Sequence, residues 1–174
     1  CHVERPVVLP MSNPTSKTEA RPADVVSWTD GRALVATGSP FPAVPWNGGS
    51  ITVAQANNAL VFPGVGLGAL VCDAFEVTDG MFAAAAARLA DELSPEDLAK
   101  GALFPPVSAL RRVTARVAEA VARAAILGGV GREIPDELIL AEVLISMWSP
   151  RYPVLVPEKE PAVAPLEEAA TARA

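Results

Sequence analysis

Apolar and polar positions come in alternating blocks along the chain. Val7-Val8-Leu9-Pro10-Met11 is a short unbroken apolar run, the pattern of a strand buried on both faces. It leads directly into Ser12-Asn13-Pro14-Thr15-Ser16, a cluster of turn formers. Thr18 can cap a short helix through Ala23, Val25, Val26 and Trp28, and Asp30-Gly31 ends it. Ala33-Leu34-Val35-Ala36-Thr37 reads as a second buried strand, followed by the turn Gly38-Ser39-Pro40. Strand, polar turn, helix, strand, polar turn is the order of a parallel sheet with crossover helices. In open sheets of this kind, ligands sit beyond the carboxyl ends of the strands. Both polar turns, SNPTS and TGSPF, fall there.

The later blocks change period. Pro42 to Gly49 reads as a loop, and Ile51-Thr52-Val53 as a small edge strand. Gln55 to Val71 reads as a helix interrupted by Pro63. From Thr78 the spacing is helical, with Met81, Phe82, Ala85, Leu89 and Leu93 on one face. Ser94-Pro95-Glu96-Asp97 restarts a helix with a cap, a proline in its first position and an acid completing the box. Leu110, Val113, Val117, Val121 and Ala124 define a long amphipathic helix that Gly128-Gly129 ends. Pro135 to Trp148 predicts a last apolar helix, stopped by Pro150. Beyond Val156 the Pro, Glu and Ala composition has no periodicity and predicts a disordered tail.

Composition narrows the class. The chain has 174 residues, 51% of them hydrophobic, which suffices for one core. A net charge of -6 without any basic stripe argues against nucleic acid as a partner. No apolar stretch is long enough for a membrane helix, so no membrane partner is expected. The two cysteines, Cys1 and Cys72, make no disulfide framework and point to a reducing cytoplasm. The chain opens Cys1-His2-Val3 without an initiator Met, so residues are expected to precede it.

The candidate chemistry is thin. Gly64-Val65-Gly66-Leu67-Gly68 lacks the spacing and the preceding strand of a dinucleotide loop, so its glycines are read as close-packing positions. His2 and Tyr152 have no partner at a spacing that would tune an acid or base. Lys17 is read as a solvated loop lysine, and Cys72 as a buried inert thiol. Asp91, Glu92, Glu96, Asp97, Glu119, Asp136 and Glu137 fall on helix faces or in first turns and are read as solvated decoration, not as a metal cage. The amides stand apart. Asn13 is at the tip of a strand, and Asn57-Asn58 follow Gln55 in surroundings read as apolar, where an unpaired amide is costly. Such groups can donate to a carboxylate and accept from a carboxamide or ribose hydroxyl. Equally, Asn13 can make an Asx-turn before Pro14 and Asn58 can cap a helix. The residues alone leave both readings open.

The strings SNPTSK, TGSPF, AQANNALVFPGVGLG, VTDGMFAAAAARLA and LFPPVSALRRVTARVAEAVA together resemble the C-terminal half of malic enzymes, above all the large bacterial NAD-linked type. The resemblance is dense from Arg5 to Ala125 and thinner through PDELILAEVLISMWSPRYP. It implies an α/β fold: residues 1–127 as the C-terminal part of a Rossmann-like NAD-binding domain, parallel strands with helices. A helical C-terminal region over residues 128–156 and a tail over 157–174 then follow. It implies oxidative decarboxylation of malate to pyruvate with reduction of NAD or NADP, and Mg2+ or Mn2+ as Lewis acid.

On the same resemblance, Asn13 contacts malate and the nicotinamide side of the cofactor, and Asn57 or Asn58 holds a malate carboxylate. The family's proton-donor tyrosine, base lysine, acidic metal ligands and glycine-rich cofactor loop have no counterpart in this chain, so no catalytic or metal-binding residue is expected in it. The chain alone is then expected to be inactive, and the whole protein a cytoplasmic homo-oligomer. The alternatives are a non-catalytic binding or interaction module that keeps the fold, and another dehydrogenase with a similar cofactor domain. The paired SNPT and QANN strings argue against the second.

Overall fold

The computed structural model describes residues 3–150. Cys1, His2, Tyr152 and the tail lie outside them, so the expectations for those residues have no structural counterpart here. The first part of the chain forms a small parallel sheet in the order β1 (Val7–Val8), β2 (Leu34–Thr37), β5 (Val53–Gln55). Val8 pairs with Val35, and Thr37 with Gln55, so the carboxyl ends of all three strands share one edge. The helix α1 (Pro22–Trp28) makes the crossover from β1 to β2 and packs Val25 and Val26 against Val35 and Val44. It begins after Arg21 with Pro22 in its first turn, not at Thr18, because proline's fixed φ suits a position whose N–H has no helical partner. Asp30 and Gly31 end it at positive φ, as expected.

Two strand expectations need correction. The run from Val7 to Met11 is not buried on both faces: Val7 is 55%, Leu9 48% and Met11 45% exposed. β1 is an edge of the sheet, and among the described residues no strand covers its outer side. Pro42 to Gly49 is not a plain loop. It holds most of an antiparallel hairpin of β3 (Val44–Trp46) and β4 (Gly49–Ile51). Asn47 and Gly48 form its two-residue turn at φ 46° and 77°, both in the left-handed region that the twist of hairpin strands demands. Ile51 therefore closes the hairpin, and Val53 opens β5, the other edge of the parallel sheet.

Gln55 belongs to β5 and not to a helix. A 3-10 turn over Asn58–Leu60 intervenes before α2 (Phe62–Val71). Pro63 lies in the first turn of α2, so it starts the helix instead of interrupting it. The remaining helices are α3 (Asp79–Asp91), α4 (Pro95–Ala99), α5 (Leu110–Leu127) and α6 (Asp136–Ser146). Thr78 and Ser94 cap α3 and α4 through their hydroxyls, and Ser94 completes its box with Asp97. Val113, Val117 and Val121 of α5 are fully buried, meeting Met81, Ala85 and Leu89 of α3 and Val65 of α2 in one core. Burying each such valine is worth about 1.5–3 kcal/mol. α6 adds Ile139 and Val143 to that core and ends at Ser146, two residues before Trp148.

Close packing accounts for two of the three glycines in the GVGLG run. A Cβ on Gly64 would stand 2.6 Å from Val117, and one on Gly68 would stand 2.6 Å from the Ala118 carbonyl, so α2 lies directly on α5. Gly66 faces open space and is not a packing residue. Phe82, expected on the buried face of α3, is 42% exposed, since α5 covers only the stripe through Met81, Ala85 and Leu89. Cys72 is fully buried, and burial pushes its thiol pKa up.

Candidate functional site

The site is built where the three parallel strands end. Beyond β1 the chain turns through Ser12–Thr18, with a cis peptide between Asn13 and Pro14 and a 3-10 turn over Thr15–Lys17. Glu19 closes this turn from below: its carboxylate accepts from the Ser12 amide at 3.1 Å and from the Ser12 hydroxyl at 2.7 Å. The Ser12 hydroxyl bond is the chief reason the Glu19 pKa lies below the usual carboxylate range. Beyond β2, the Gly38 amide donates to the Pro10 carbonyl, and beyond β5 the Ala56 amide donates to the Thr37 carbonyl. The ladder thus continues past the strands and holds the three turns side by side.

Side chains lace the turns further. Ser39 Oγ donates to Asn13 Oδ1 at 2.6 Å, Thr37 Oγ1 donates to the Ser39 carbonyl at 2.8 Å, and Gln55 Nε2 donates to the Gly38 carbonyl at 3.3 Å. Thr37 and Ser39 are buried at 1% and 4% exposure. Gly38 is needed for the approach of the two turns: a Cβ there would overlap the Met11 carbonyl oxygen and lie 3.0 Å from Asn13 Nδ2.

Met11, Asn13, Gly38, Pro40, Gln55, Ala56, Asn57 and Asn58 line one cleft of about 270 Å³ at this edge. All three amides singled out from the sequence are brought together in it. Their surroundings are not apolar, as the sequence suggested: Asn13 and Asn58 are exposed, and the cleft's lining is mainly polar. The cap also falls on the other neighbour. Asn57 Oδ1 accepts from the Ala59 amide at 2.9 Å and so caps the 3-10 turn, whereas the Asn58 side chain makes no hydrogen bond to the described residues. Lys17 is exposed in the first turn and forms no ion pair with the described residues, in keeping with a solvated lysine.

Ser39 and Gln55 were not among the sequence candidates, although both sit in strings that carried the resemblance. Their role depends on register, Thr37 opposite Gln55, which the local sequence does not specify. Two of the acids need correction. Glu119 of α5 has a side chain only 17% exposed and pairs with Arg116 and Arg123. Asp91, Glu96 and Asp136 are exposed, but Glu92 is not solvated decoration: its side chain is 4% exposed and pairs with Arg88 of α3 and Arg112 of α5.

Comparison with known proteins gives the family. Residues 1–126 match the family described as "Malic enzyme, NAD binding domain". The chain is 49% identical over 151 residues to NAD-dependent malic enzyme 3 of Bacillus subtilis (strain 168), covering 87% of this chain and 26% of that protein. It is 48% identical over 152 residues to the NAD-dependent malic enzyme of Aliivibrio fischeri (strain ATCC 700601 / ES114), covering 87% and 27%. The chain therefore spans about a quarter of the length of these curated relatives. Among solved structures, it matches the malic enzyme of Pyrococcus horikoshii Ot3 with a TM-score of 0.61 and 28% identity over 80% of this chain and 28% of that one. The Entamoeba histolytica malic enzyme, at 23% identity and a TM-score of 0.60 over 79% and 26%, shares the fold. With a Rossmann-like parallel sheet whose carboxyl edge carries the SNPT, TGSP and QANN turns, this chain belongs to the malic enzyme family, in the part that forms its NAD-binding domain.

Proposed function

We propose that this chain is one wall of the active site of an NAD-dependent malic enzyme, which converts malate to pyruvate and CO2. The observation that carries the reading is the single cleft that gathers Asn13, Gln55, Asn57 and Asn58 at the carboxyl edge of the parallel sheet. Asn13 has its carbonyl occupied by Ser39, so its amide N–H groups remain for a ligand. Of the two neighbours in QANN, we take Asn58 as the carboxylate donor, because its side chain makes no hydrogen bond to the described residues and can turn toward a ligand, whereas the cap fixes the direction of the Asn57 amide. Neither amide titrates, so both can orient a dianionic acid across the neutral pH range.

Nicotinamide fits this lining, since its carboxamide both donates and accepts and the mainly polar cleft holds the amide side chains of Asn13, Gln55, Asn57 and Asn58. When bound, NAD supplies the hydride acceptor. A divalent cation does not fit: hard cations take carboxylate oxygens, and no carboxylate lines the cleft. In this reading the ligands for Mg2+ or Mn2+, the base lysine and the acid tyrosine belong to the three quarters of the relatives' length that this chain does not span. The whole protein is then a cytoplasmic homo-oligomer, and this chain alone is inactive.

The test is kinetic, in the full-length protein, with malate and NAD varied separately. Asn13→Ala and Asn58→Ala each remove a hydrogen bond to a charged group, worth about 1.5–3 kcal/mol. The expected loss in kcat/KM is about tenfold to hundredfold. Asn13→Ala should act on turnover, and Asn58→Ala mainly on the KM for malate. Asn57→Ala should lower the melting temperature more than it changes the kinetics. Wild-type kinetics in both the Asn13 and Asn58 variants would overturn the assignment, and would favour a binding module that keeps the fold without the chemistry. The purified 174-residue chain should form no NADH from malate with Mg2+ present.

A further inference from the structure

We propose that Ser39 is a positioning residue that fixes which end of the Asn13 amide faces the ligand; the inference rests on the substrate-wall reading of Asn13. An asparagine amide has a donor end and an acceptor end of nearly the same shape, and an exposed one can turn over at little cost. Only one of the two orientations suits a carboxylate. With Nδ2 toward the cleft, Asn13 donates; with Oδ1 there, two negative oxygens oppose each other.

Ser39 breaks this symmetry. Its hydroxyl donates its one proton to Asn13 Oδ1 at 2.6 Å, in a residue only 4% exposed. Were the amide reversed, Nδ2 would donate to Oγ and the hydroxyl proton would lose the acceptor it has, in a residue nearly closed to water, a costly exchange. The buried hydroxyl therefore holds Oδ1 inward and Nδ2 outward. Two neighbours hold Ser39 in turn. Thr37 Oγ1 donates to the Ser39 backbone carbonyl at 2.8 Å, and Gln55 Nε2 donates to the carbonyl of Gly38 just before it. Both bonds go to the main chain, so they survive any change of the Ser39 side chain. Removing the hydroxyl alone takes away the orientation of Asn13 while leaving the turn tied.

The experiment is a double-mutant cycle in the full-length protein, with Ser39→Ala, Asn13→Ala and the pair, read by steady-state kinetics and thermal melts. Ser39→Ala should lower kcat/KM for malate about threefold to tenfold, the range of one neutral hydrogen bond. In the Asn13→Ala background the same change should cost less than twofold, because no amide is left to orient. Ser39→Cys, close in shape and a weaker donor, should fall between wild type and Ser39→Ala, and it replaces alanine in the cycle should that variant not fold. Equal losses in both backgrounds would overturn the inference, since they would mean that Ser39 acts only through the fold of its turn. So would wild-type kinetics in Ser39→Ala alongside a damaged Asn13→Ala. An Asn13→Ala variant with wild-type kinetics would instead remove the reading on which the inference stands.

Discussion

In the helical part of the chain, Val113, Val117, Ala118, Val121 and Ala125 of α5 are fully buried between α2, α3 and α6. In the sheet part, β1 carries Val7 at 55% exposure, with Leu9 and Met11 nearly half exposed just beyond it, while Val25, Val26, Ala33, Val35 and Val44 form a small core. The helices close a core of their own. The sheet leaves an apolar edge open, although its strand ends carry the candidate site. The contrast separates two parts of one sequence: α5 packs its apolar side chains within this chain, and β1 leaves apolar side chains exposed among the described residues. Stability and the site are thus carried by different parts, and substitutions can tell them apart.

The largest expected effect comes from the closed core. Met81→Ala should cost about 2–5 kcal/mol, the range for truncating a fully buried large side chain. Leu9→Ala, at a half-exposed edge position, should cost about 1 kcal/mol or less. Urea melts of both variants would break the comparison if the two losses were equal.

Gly68 and Gly66 sharpen it within one helix. Gly68→Ala pushes a methyl group to 2.6 Å from the Ala118 carbonyl, and should destabilise by about 1–3 kcal/mol as α2 is forced off α5. Gly66→Ala meets open space and should stabilise by about 0.5–1 kcal/mol through helix propensity. Opposite shifts in melting temperature are the expected result. Shifts of the same sign would show that the contact between α2 and α5 is looser than its geometry.

Glu92 tests the electrostatic side of the helical core. Its carboxylate joins Arg88 on α3 to Arg112 on α5, and Glu92→Gln keeps the shape while removing the charge. Breaking a buried pair can cost 3–5 kcal/mol, but Arg88 and Arg112 are 35% and 59% exposed, so water can take up much of their charge. About 1–2 kcal/mol is expected in a denaturant melt. No change would mean that the bridge contributes nothing beyond packing.

The smallest effect concerns the turn that carries Asn13. The folded-state pKa of Glu19 is lowered, so its contribution is fully present above the ordinary carboxylate pKa of about 4.3. That contribution is lost only as pH falls through the lower folded value. Comparing Glu19→Gln with wild type, the difference in melting temperature should be constant near neutrality and shrink on acidification below about pH 4. A difference that persisted unchanged at low pH would mean that the Ser12–Glu19 bonds do not hold the turn.

Much of the helical part was legible because helical periodicity is local. The spacing of Val113, Val117 and Val121, the Ser94 box and the Gly128-Gly129 stop all state their roles within a few residues. The Asn47-Gly48 turn was also local, but its short strands were hidden among prolines and glycines. Glu92 looked like any helix-end acid, because its partner Arg112 lies twenty residues later on another helix. Gln55 and Pro63 were misread together: an apolar stretch after β4 carries no mark of where a strand yields to a helix, and only pairing with Thr37 assigns Gln55 to the sheet.

The sequence by itself determined the alternation of strands, turns and helices, the family to which its strings belong, and the amides as the side chains to watch. Those are properties of composition, spacing and short motifs. Only the tertiary structure decided that Asn13, Asn57 and Asn58 meet in one cleft, that Asn57 is the cap and Asn58 the unbonded neighbour, and that Ser39 holds the carbonyl of Asn13. Ser39 and Asn13 are 26 residues apart and meet only through the register of parallel strands. That register is fixed by crossover packing over the whole sheet, and a residue's neighbours in sequence say nothing about it.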